Sequence, residues 1–117
     1  MSTKYGNENL NQGIVLKTSK IQQKSLEESV KDLKNKTNSI IIILDQVTDP
    51  NNIGSIMRSC SLFNCKTLVV SKFNTPDLSS TILKSASGAG EIVDYIKVSN
   101  LKRSLNYLKK IGYWTYA

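Results

Sequence analysis

The residues best suited to chemistry in this chain are Asn52 and Arg58, near its middle. An arginine stays protonated and offers a planar fork of donors that matches a phosphate or carboxylate group. An asparagine at the corner between a strand and a helix can belong to a ligand-binding loop. It can equally cap the first free amides of the helix, as the neighbouring Asn51 can. A capping asparagine and a solvent-facing arginine are therefore the alternative interpretation of the same two residues.

The turn that carries these residues follows a short apolar run, Ile40–Leu44. Such a run of β-branched residues is typical of a strand that is buried on both faces of a parallel sheet. Asp49, Pro50 and two asparagines then mark a turn out of the strand. Open α/β sheets bind their ligands at the carboxyl ends of their strands, so the position of this turn favours a ligand-binding loop.

A helix is predicted to follow the turn and to end near Asn64. Its apolar residues recur at the spacing of one helix face: Ile53, Ile56, Met57 and Cys60. Arg58 lies well off that face. Gly54, one turn earlier, is expected to leave room beside the guanidinium group.

Strands and helices are predicted to alternate along the rest of the chain. The predicted strands are 13–17, 67–70, 92–98 and 113–116, and the predicted helices are 25–35, 78–84 and 101–111. This alternation predicts an α/β fold in which parallel βαβ units form one sheet. Residues 1–11 are predicted to be a flexible lead or linker. The small-residue stretch 85–90 is interpreted as a closely packed loop in preference to a phosphate cradle.

The chain has 117 residues, which suits a single domain, and a net charge of +7. Residues 51–117 hold nine basic and three acidic side chains, whereas residues 1–50 hold seven and six. The excess suits an anionic partner such as RNA, although a generally lysine-rich composition explains it as well. Lys102 and Arg103 belong to this excess and lie near several aromatic residues. They are interpreted either as RNA contacts or as part of a solvated helix face.

The chain contains no histidine, which excludes Ser-His and Cys-His nucleophilic arrangements. Its two cysteines, Cys60 and Cys65, are expected to be reduced and buried, and two cysteines alone do not complete a tetrahedral metal site. No apolar run approaches the roughly 18 residues of a membrane span, and no stretch has the features of a signal peptide. We therefore expect a cytoplasmic protein with no metal and no membrane segment.

The run Asp45–Arg58 resembles the first motif of the SpoU class of the SPOUT RNA methyltransferases. In that motif, Leu-Asp-x-Val-x-Asp-Pro-x-Asn-x-Gly is followed by an arginine four residues beyond the glycine. Lys84–Glu91 is similar to the Lys-x-Ala-Ser-Gly-Ala-x-Glu segment of the branch that methylates a guanosine ribose in 23S rRNA. Gln12–Ile14 also matches that branch, but Asn11 stands where a histidine is usual.

The resemblance implies a homodimeric RNA 2′-O-methyltransferase that uses S-adenosylmethionine. It matches Asn52 and Arg58 to the active-site residues of the family. Because a guanidinium group stays protonated and is a poor base, we favour a role for Arg58 in holding a phosphate and orienting the RNA. The candidates for RNA binding are Arg58, Lys84, Lys102 and Arg103. No cofactor-binding residue is assigned.

Family members continue past the position of Tyr116 into the segments that build a trefoil knot and the cofactor pocket. We therefore expect residues 12–117 to form the N-terminal half of an α/β-knot methyltransferase domain, with the knot portion absent and the chain inactive alone. Two alternatives stay open: an RNA-binding or interaction module without catalysis, and a decayed gene product. In each case unpaired strand edges are expected to favour self-association.

Overall fold

A computed structural model describes residues 24–34 and 38–117 of the chain. Within them, three strands form one parallel sheet: β1 (Ile41–Leu44), β2 (Thr67–Ser71) and β3 (Asp94–Val98), in the order β1-β2-β3. The helices are α1 (Leu26–Leu33), α2 (Pro50–Leu62), α3 (Ser80–Ala86) and α4 (Leu101–Lys110), with a 3-10 turn at Ala89–Glu91. The predicted α/β fold with a parallel sheet is confirmed.

The helices cover the sheet on both faces and divide the core into two layers. Apolar residues of α2 and α3 pack on one face, against Leu68 and Val70 of the middle strand. Leu26 of α1 and Leu108 of α4 pack on the other face, against Val69. Side chains of a strand alternate between faces, so consecutive residues of β2 serve opposite layers. All three of these β2 residues are fully buried.

The structure corrects the predicted burial of the first strand. β1 is an edge strand of the described sheet, and all four of its residues are only half-buried. Just before it, Ile40 is 52% exposed. The strand that is buried on both faces is β2, because it has a neighbour on each side and helices above and below.

The predicted strand at residues 113–116 is wrong. The segment has no regular structure, although the Tyr113 hydroxyl lies 2.7 Å from Ser39 Oγ, just ahead of β1. A strand needs a neighbouring backbone to complete its hydrogen bonds, and this segment does not pair with β1 or any other described strand. The aromatic composition of residues 113–116 therefore predicted a strand, but the backbone hydrogen bonds of a strand do not form there.

The caps of the helices agree with most of the predicted boundaries. Ser25 and Glu28 form the predicted capping box of α1, and Asn100 caps α4 through the Arg103 amide at 2.9 Å. Gly112, with a φ of 109°, follows α4 as predicted. None of the described helices is long and apolar enough to cross a membrane.

Three boundaries differ from the prediction. The predicted helix 78–84 runs instead from Ser80 to Ala86, because the Ser79 side chain caps it. The stretch 85–90 is consequently the end of α3 and the start of a 3-10 turn, and β3 begins only at Asp94. The predicted lead 1–11, the motif residues 12–14 and the predicted strand 13–17 lie outside the described residues.

A polar cluster ties α1 to the amino ends of β2 and β3. Ser29 Oγ is buried 2.7 Å from Thr67 Oγ1 and donates to Asp94 Oδ2 at 3.2 Å. Lys24 Nζ contacts Asp32 at 2.8 Å and Asp94 at 3.2 Å. The hydrogen bond with Asp32, together with Asp94, raises the pKa of Lys24. The cluster satisfies a serine and a threonine that are otherwise shielded from water.

We predict that Ser29→Ala destabilises the fold by about 1–3 kcal/mol, because it leaves the buried Thr67 hydroxyl without its partner. Urea unfolding followed by circular dichroism measures the change. Ser59→Ala is the matched control, since Ser59 is exposed on a helix and its replacement is expected to be neutral. Equal stability of the two variants would contradict a structural role for the cluster.

Candidate functional site

The turn between β1 and α2 lies at the carboxyl edge of the sheet, as predicted. Gln46 in this turn has a left-handed backbone, with a φ of 62°. Asp49, and not Asn51 or Asn52, caps α2: its carboxylate accepts the Asn51 amide at 2.9 Å. The reason is Pro50, which lacks an N–H and fits the first helical position, so that the cap is the residue directly before it.

The two asparagines are therefore free of the capping role and project from the first turn of α2. Both are exposed, as are Ser55 and Arg58. Asn51, Ser55 and Arg58 recur at i, i+4 and i+7 and form one stripe along the helix, which we call the Arg58 stripe. Asn52 lies about 100° around the helix from Asn51 and roughly 9 Å along the axis from Arg58. The helix thus aligns Arg58 with Asn51 more closely than with Asn52.

The Arg58 stripe runs beside α3, and a hydrogen bond joins the two helices. Ser85 Oγ donates to Asn51 Oδ1 at 2.8 Å. This pair was not predicted from the sequence, where Asn51 was interpreted as a possible helix cap and Ser85 as part of a closely packed loop. The only signal was the run of small residues that begins at Ser85.

Gly54 makes the close approach of α2 and α3 possible. A Cβ atom placed there would lie 2.4 Å from Ser85 Cβ and 2.7 Å from the Ile82 carbonyl oxygen. The expectation that Gly54 leaves room beside the Arg58 guanidinium is therefore wrong. The space is filled by the backbone of α3, and the glycine serves helix packing.

The four candidate RNA-binding residues fall on two sides of the sheet. Arg58 and the exposed Lys84 belong to α2 and α3, on one face. Lys102 and Arg103 are exposed in the first turn of α4, which covers the opposite face. That turn begins where β3 ends, so Lys102 and Arg103 border the carboxyl edge of the sheet, whereas Arg58 lies about two turns along α2 from that edge. An RNA that reaches both groups must cross this edge.

A second contact that the sequence did not reveal fixes the loop after β2 at the same edge. Tyr95 of β3 donates its hydroxyl to the Pro76 carbonyl at 2.7 Å. Lys97 donates to the Thr75 carbonyl at 3.1 Å and pairs with Asp77. Burial, and secondarily the charge of Asp77, raises the pKa of Tyr95 to about 12, so its hydroxyl keeps its proton and its hydrogen bond.

The arrangement suits anion binding more than acid–base chemistry. Within the described ranges, no three metal-ligating side chains lie together. The Arg58 stripe offers an amide, a hydroxyl and a guanidinium on a convex, exposed helix surface. These groups can hold a phosphate and orient a hydroxyl, but they do not enclose an aromatic ring such as adenine.

A separate groove of about 1160 Å³ runs along β1, an edge strand of the sheet within the described part of the chain. Residues 40–43 form one wall, and residues 111–116 form another. The groove lies away from α2 and contains none of the residues of the Arg58 stripe.

Comparison with known proteins gives a family match over most of the chain. The model of the SpoU rRNA Methylase family matches residues 39–117. An uncharacterised tRNA/rRNA methyltransferase of Borreliella burgdorferi is 33% identical over 100 residues, which are 86% of this chain and 44% of that protein. The 23S rRNA (guanosine-2′-O-)-methyltransferase RlmB of Nitrosomonas europaea is 35% identical over 104 residues, 88% of this chain and 39% of that protein. The chain thus spans less than half the length of these relatives.

Two solved structures share the fold at lower sequence identity. The SpoU methyltransferase AviRb from Streptomyces viridochromogenes, in complex with AdoMet, gives a TM-score of 0.64 at 18% identity. The match covers 78% of this chain and 34% of AviRb. The TrmH/SpoU tRNA modifying enzyme of A. aeolicus gives 0.56 at 22% identity, over 74% of this chain and 46% of that enzyme.

We predict that Gly54→Ala destabilises the fold by about 1–3 kcal/mol, because α3 must move away from α2 to admit the methyl group. Chemical unfolding monitored by circular dichroism measures the loss. Gly90→Ala is the matched control. Its added Cβ would meet the flexible end of Leu83, which can turn aside. If Gly54→Ala is no less stable than Gly90→Ala, the close helix contact is not a constraint on the fold.

Proposed function

The chain belongs to the SpoU rRNA methylase family, and on that premise we propose that it acts in the S-adenosylmethionine-dependent 2′-O-methylation of RNA. The observation that carries this proposal is the run Asp45–Arg58, which has the sequence of the family's first motif and lies at the carboxyl edge of a parallel sheet. The name of the Nitrosomonas europaea relative supports a guanosine ribose of rRNA as the target.

S-adenosylmethionine, when bound, supplies the methyl group as an electrophile. The exposed residues of the Arg58 stripe do not enclose it, so we assign no cofactor-binding residue and derive no step through the cofactor. The chain's own residues act on the RNA side of the reaction, where a ribose hydroxyl must be oriented and must lose its proton.

We assign Arg58 to the phosphate next to the reacting ribose. Its permanent charge favours the negative charge that develops on the ribose oxygen as the proton leaves, whereas its high pKa excludes it as the base. We assign Asn52 to orienting the ribose hydroxyl through its side-chain amide. The exposure of both residues supports access by a large substrate.

RNA binding is proposed to extend from Arg58 to Lys84, Lys102 and Arg103. The net charge of +7, the exposure of all four side chains and the position of Lys102 and Arg103 at the carboxyl edge support this surface. The same charge favours a second candidate function, an RNA-binding module without catalysis. The two candidates share the RNA contacts and differ only in methyl transfer.

We predict that the protein binds unmodified rRNA with an affinity that falls steeply as salt rises, because phosphate contacts release counterions. Arg58→Ala is expected to reduce the slope of log affinity against log salt by about one. Fluorescence anisotropy with a labelled rRNA fragment, at several salt concentrations, measures the slope. Lys31→Ala is the charge-matched control, since Lys31 is exposed on α1, which is attached at the amino ends of the strands.

Incubation of the same protein and rRNA with methyl-labelled S-adenosylmethionine separates the two candidates. Labelled 2′-O-methylated nucleoside after digestion supports the methyltransferase, and its loss in Asn52→Ala and Arg58→Ala supports their assignment. Salt-dependent binding without transfer agrees with the expectation that the chain is inactive alone, and it leaves RNA binding as the activity of this chain. Binding without salt dependence would contradict both candidates.

We further propose that the protein is a homodimer in the cytoplasm. β1 is an edge strand among residues 24–34 and 38–117, and this edge, with the exposed Ile40, Trp114 and Tyr116 nearby, supports association at this side of the molecule. Large apolar side chains grouped on a surface are typical of an interface, and an unpaired strand edge offers hydrogen bonds to a second chain.

We predict that Trp114→Ser lowers the dimer fraction at least several-fold, because it removes the largest exposed apolar side chain of this side. Light scattering and sedimentation across a series of protein concentrations measure the dimer fraction. Phe63→Ser is the control, since Phe63 is 76% exposed, comparable with 84% for Trp114, but lies at the end of α2. A monomer at every concentration for the unsubstituted chain would contradict the dimer.

A further inference from the structure

The two cysteines of the chain bracket the end of α2. The Cys65 amide donates to the Cys60 carbonyl at 2.7 Å, and the Asn64 amide donates to the Ser61 carbonyl at 3.3 Å. Asn64 has a left-handed backbone, with a φ of 58°. These are the two hydrogen bonds of a Schellman motif, in which the first and last residues contact each other through their side chains. The backbone thus brings the two thiols together.

Both thiols are free and buried, and they interact directly. Cys60 is 4% exposed and Cys65 2% exposed, in one apolar cluster. The neighbouring Cys60 thiol is the main reason that the pKa of Cys65 is lowered to about 6. Burial opposes the shift, while the backbone around Thr67 and Ile42 supports it. The same contact and burial raise the pKa of Cys60.

We propose that Cys60 and Cys65 form a site of oxidative modification that closes to a disulfide when the protein meets a hydroperoxide. The site is separate from the Arg58 stripe and does not depend on the proposed function. Cys65 is the residue that reacts first, and Cys60 is the residue that resolves the intermediate.

The chemistry proceeds in two balanced steps. The Cys65 thiol first loses its proton, and the thiolate attacks the peroxide, so that a sulfur–oxygen bond forms and the oxygen–oxygen bond breaks. The hydroxide or alkoxide that leaves takes up that proton and becomes water or an alcohol. Cys65 is then a sulfenic acid. The Cys60 sulfur attacks the sulfenic sulfur, a disulfide forms, and the leaving hydroxide takes the Cys60 proton to give water. The peroxide is reduced by two electrons, and the two thiols supply them.

Access to the buried pair comes through the last turn of α2. Leu62 and Phe63 are 75% and 76% exposed, and this end of the helix has no basic residue in its last turn to stabilise it. Fraying of a helix end is a low-energy motion that needs no global unfolding. Oxidation of Cys65 also affects the start of β1, because Cys65 Sγ donates a hydrogen bond to the Ile40 carbonyl oxygen at 3.2 Å, and Ile40 directly precedes that strand.

The test treats the reduced protein with hydrogen peroxide under native conditions, blocks the remaining thiols with N-ethylmaleimide and measures the intact mass. We expect the loss of two hydrogen atoms, no alkylation of the product, and a single peptide that contains both cysteines joined to each other. Reduction with dithiothreitol is expected to restore alkylation of both.

Two variants test the order of the steps. Cys60→Ser is expected to stop at a Cys65 sulfenic acid that dimedone traps, whereas Cys65→Ser is expected to lower the peroxide reactivity of the remaining thiol at least tenfold. A disulfide between two chains, oxidation to sulfinic acid without a disulfide, or equal reactivity of the two variants would overturn the proposal. If a variant fails to fold, the intact mass of the unsubstituted protein still shows whether the disulfide forms.

Discussion

The contact of α2 with α3 at Gly54 is the constraint on which the rest of the described structure depends. Protein interiors are packed to crystal-like density, so a spacing that excludes even one methyl group also sets the orientation of every residue on the two helices. Here it seats Ile53 and Met57 on the sheet, turns Asn51 toward Ser85 and leaves Arg58 exposed. One missing side chain therefore determines both the packing of the core and the direction in which the candidate site faces.

Hydrophobic periodicity was sufficient to predict most of the fold, because burial dominates the choice between strand and helix. The apolar run before Asp45 and the repeat from Ile53 to Cys60 gave β1 and α2 within about two residues. Periodicity does not say which strand lies in the middle, since that depends on pairing across the chain. It also failed at residues 113–116, where the composition of a strand was present without a pairing partner.

The candidate site shows the same division between local and non-local information. The location of the β1–α2 turn at a carboxyl edge followed from local signals, and the motif supplied Asn52 and Arg58. The role of Pro50 in moving the cap to Asp49 is also local and was open to deduction. Two contacts could not be predicted from local signals: the Ser85–Asn51 hydrogen bond and the Lys97–Asp77 ion pair. Each joins two segments that approach each other only through tertiary packing.

The polar cluster at the amino ends of the strands bears on the order in which the chain acquires its structure. Neighbouring strands of the sheet are separated by about one βαβ unit, whereas Ser29 and Asp94 are 65 residues apart. The entropic cost of closing a chain segment rises with its length. Distant contacts therefore form more easily after nearer contacts have shortened the loop between them. The sheet with α2 and α3 can therefore assemble first as a local unit, and α1 docks onto it afterwards. α1 packs on the sheet through Leu26 as well as through this cluster, whereas the strands pair with one another without it, so α1 can detach while the sheet stays intact.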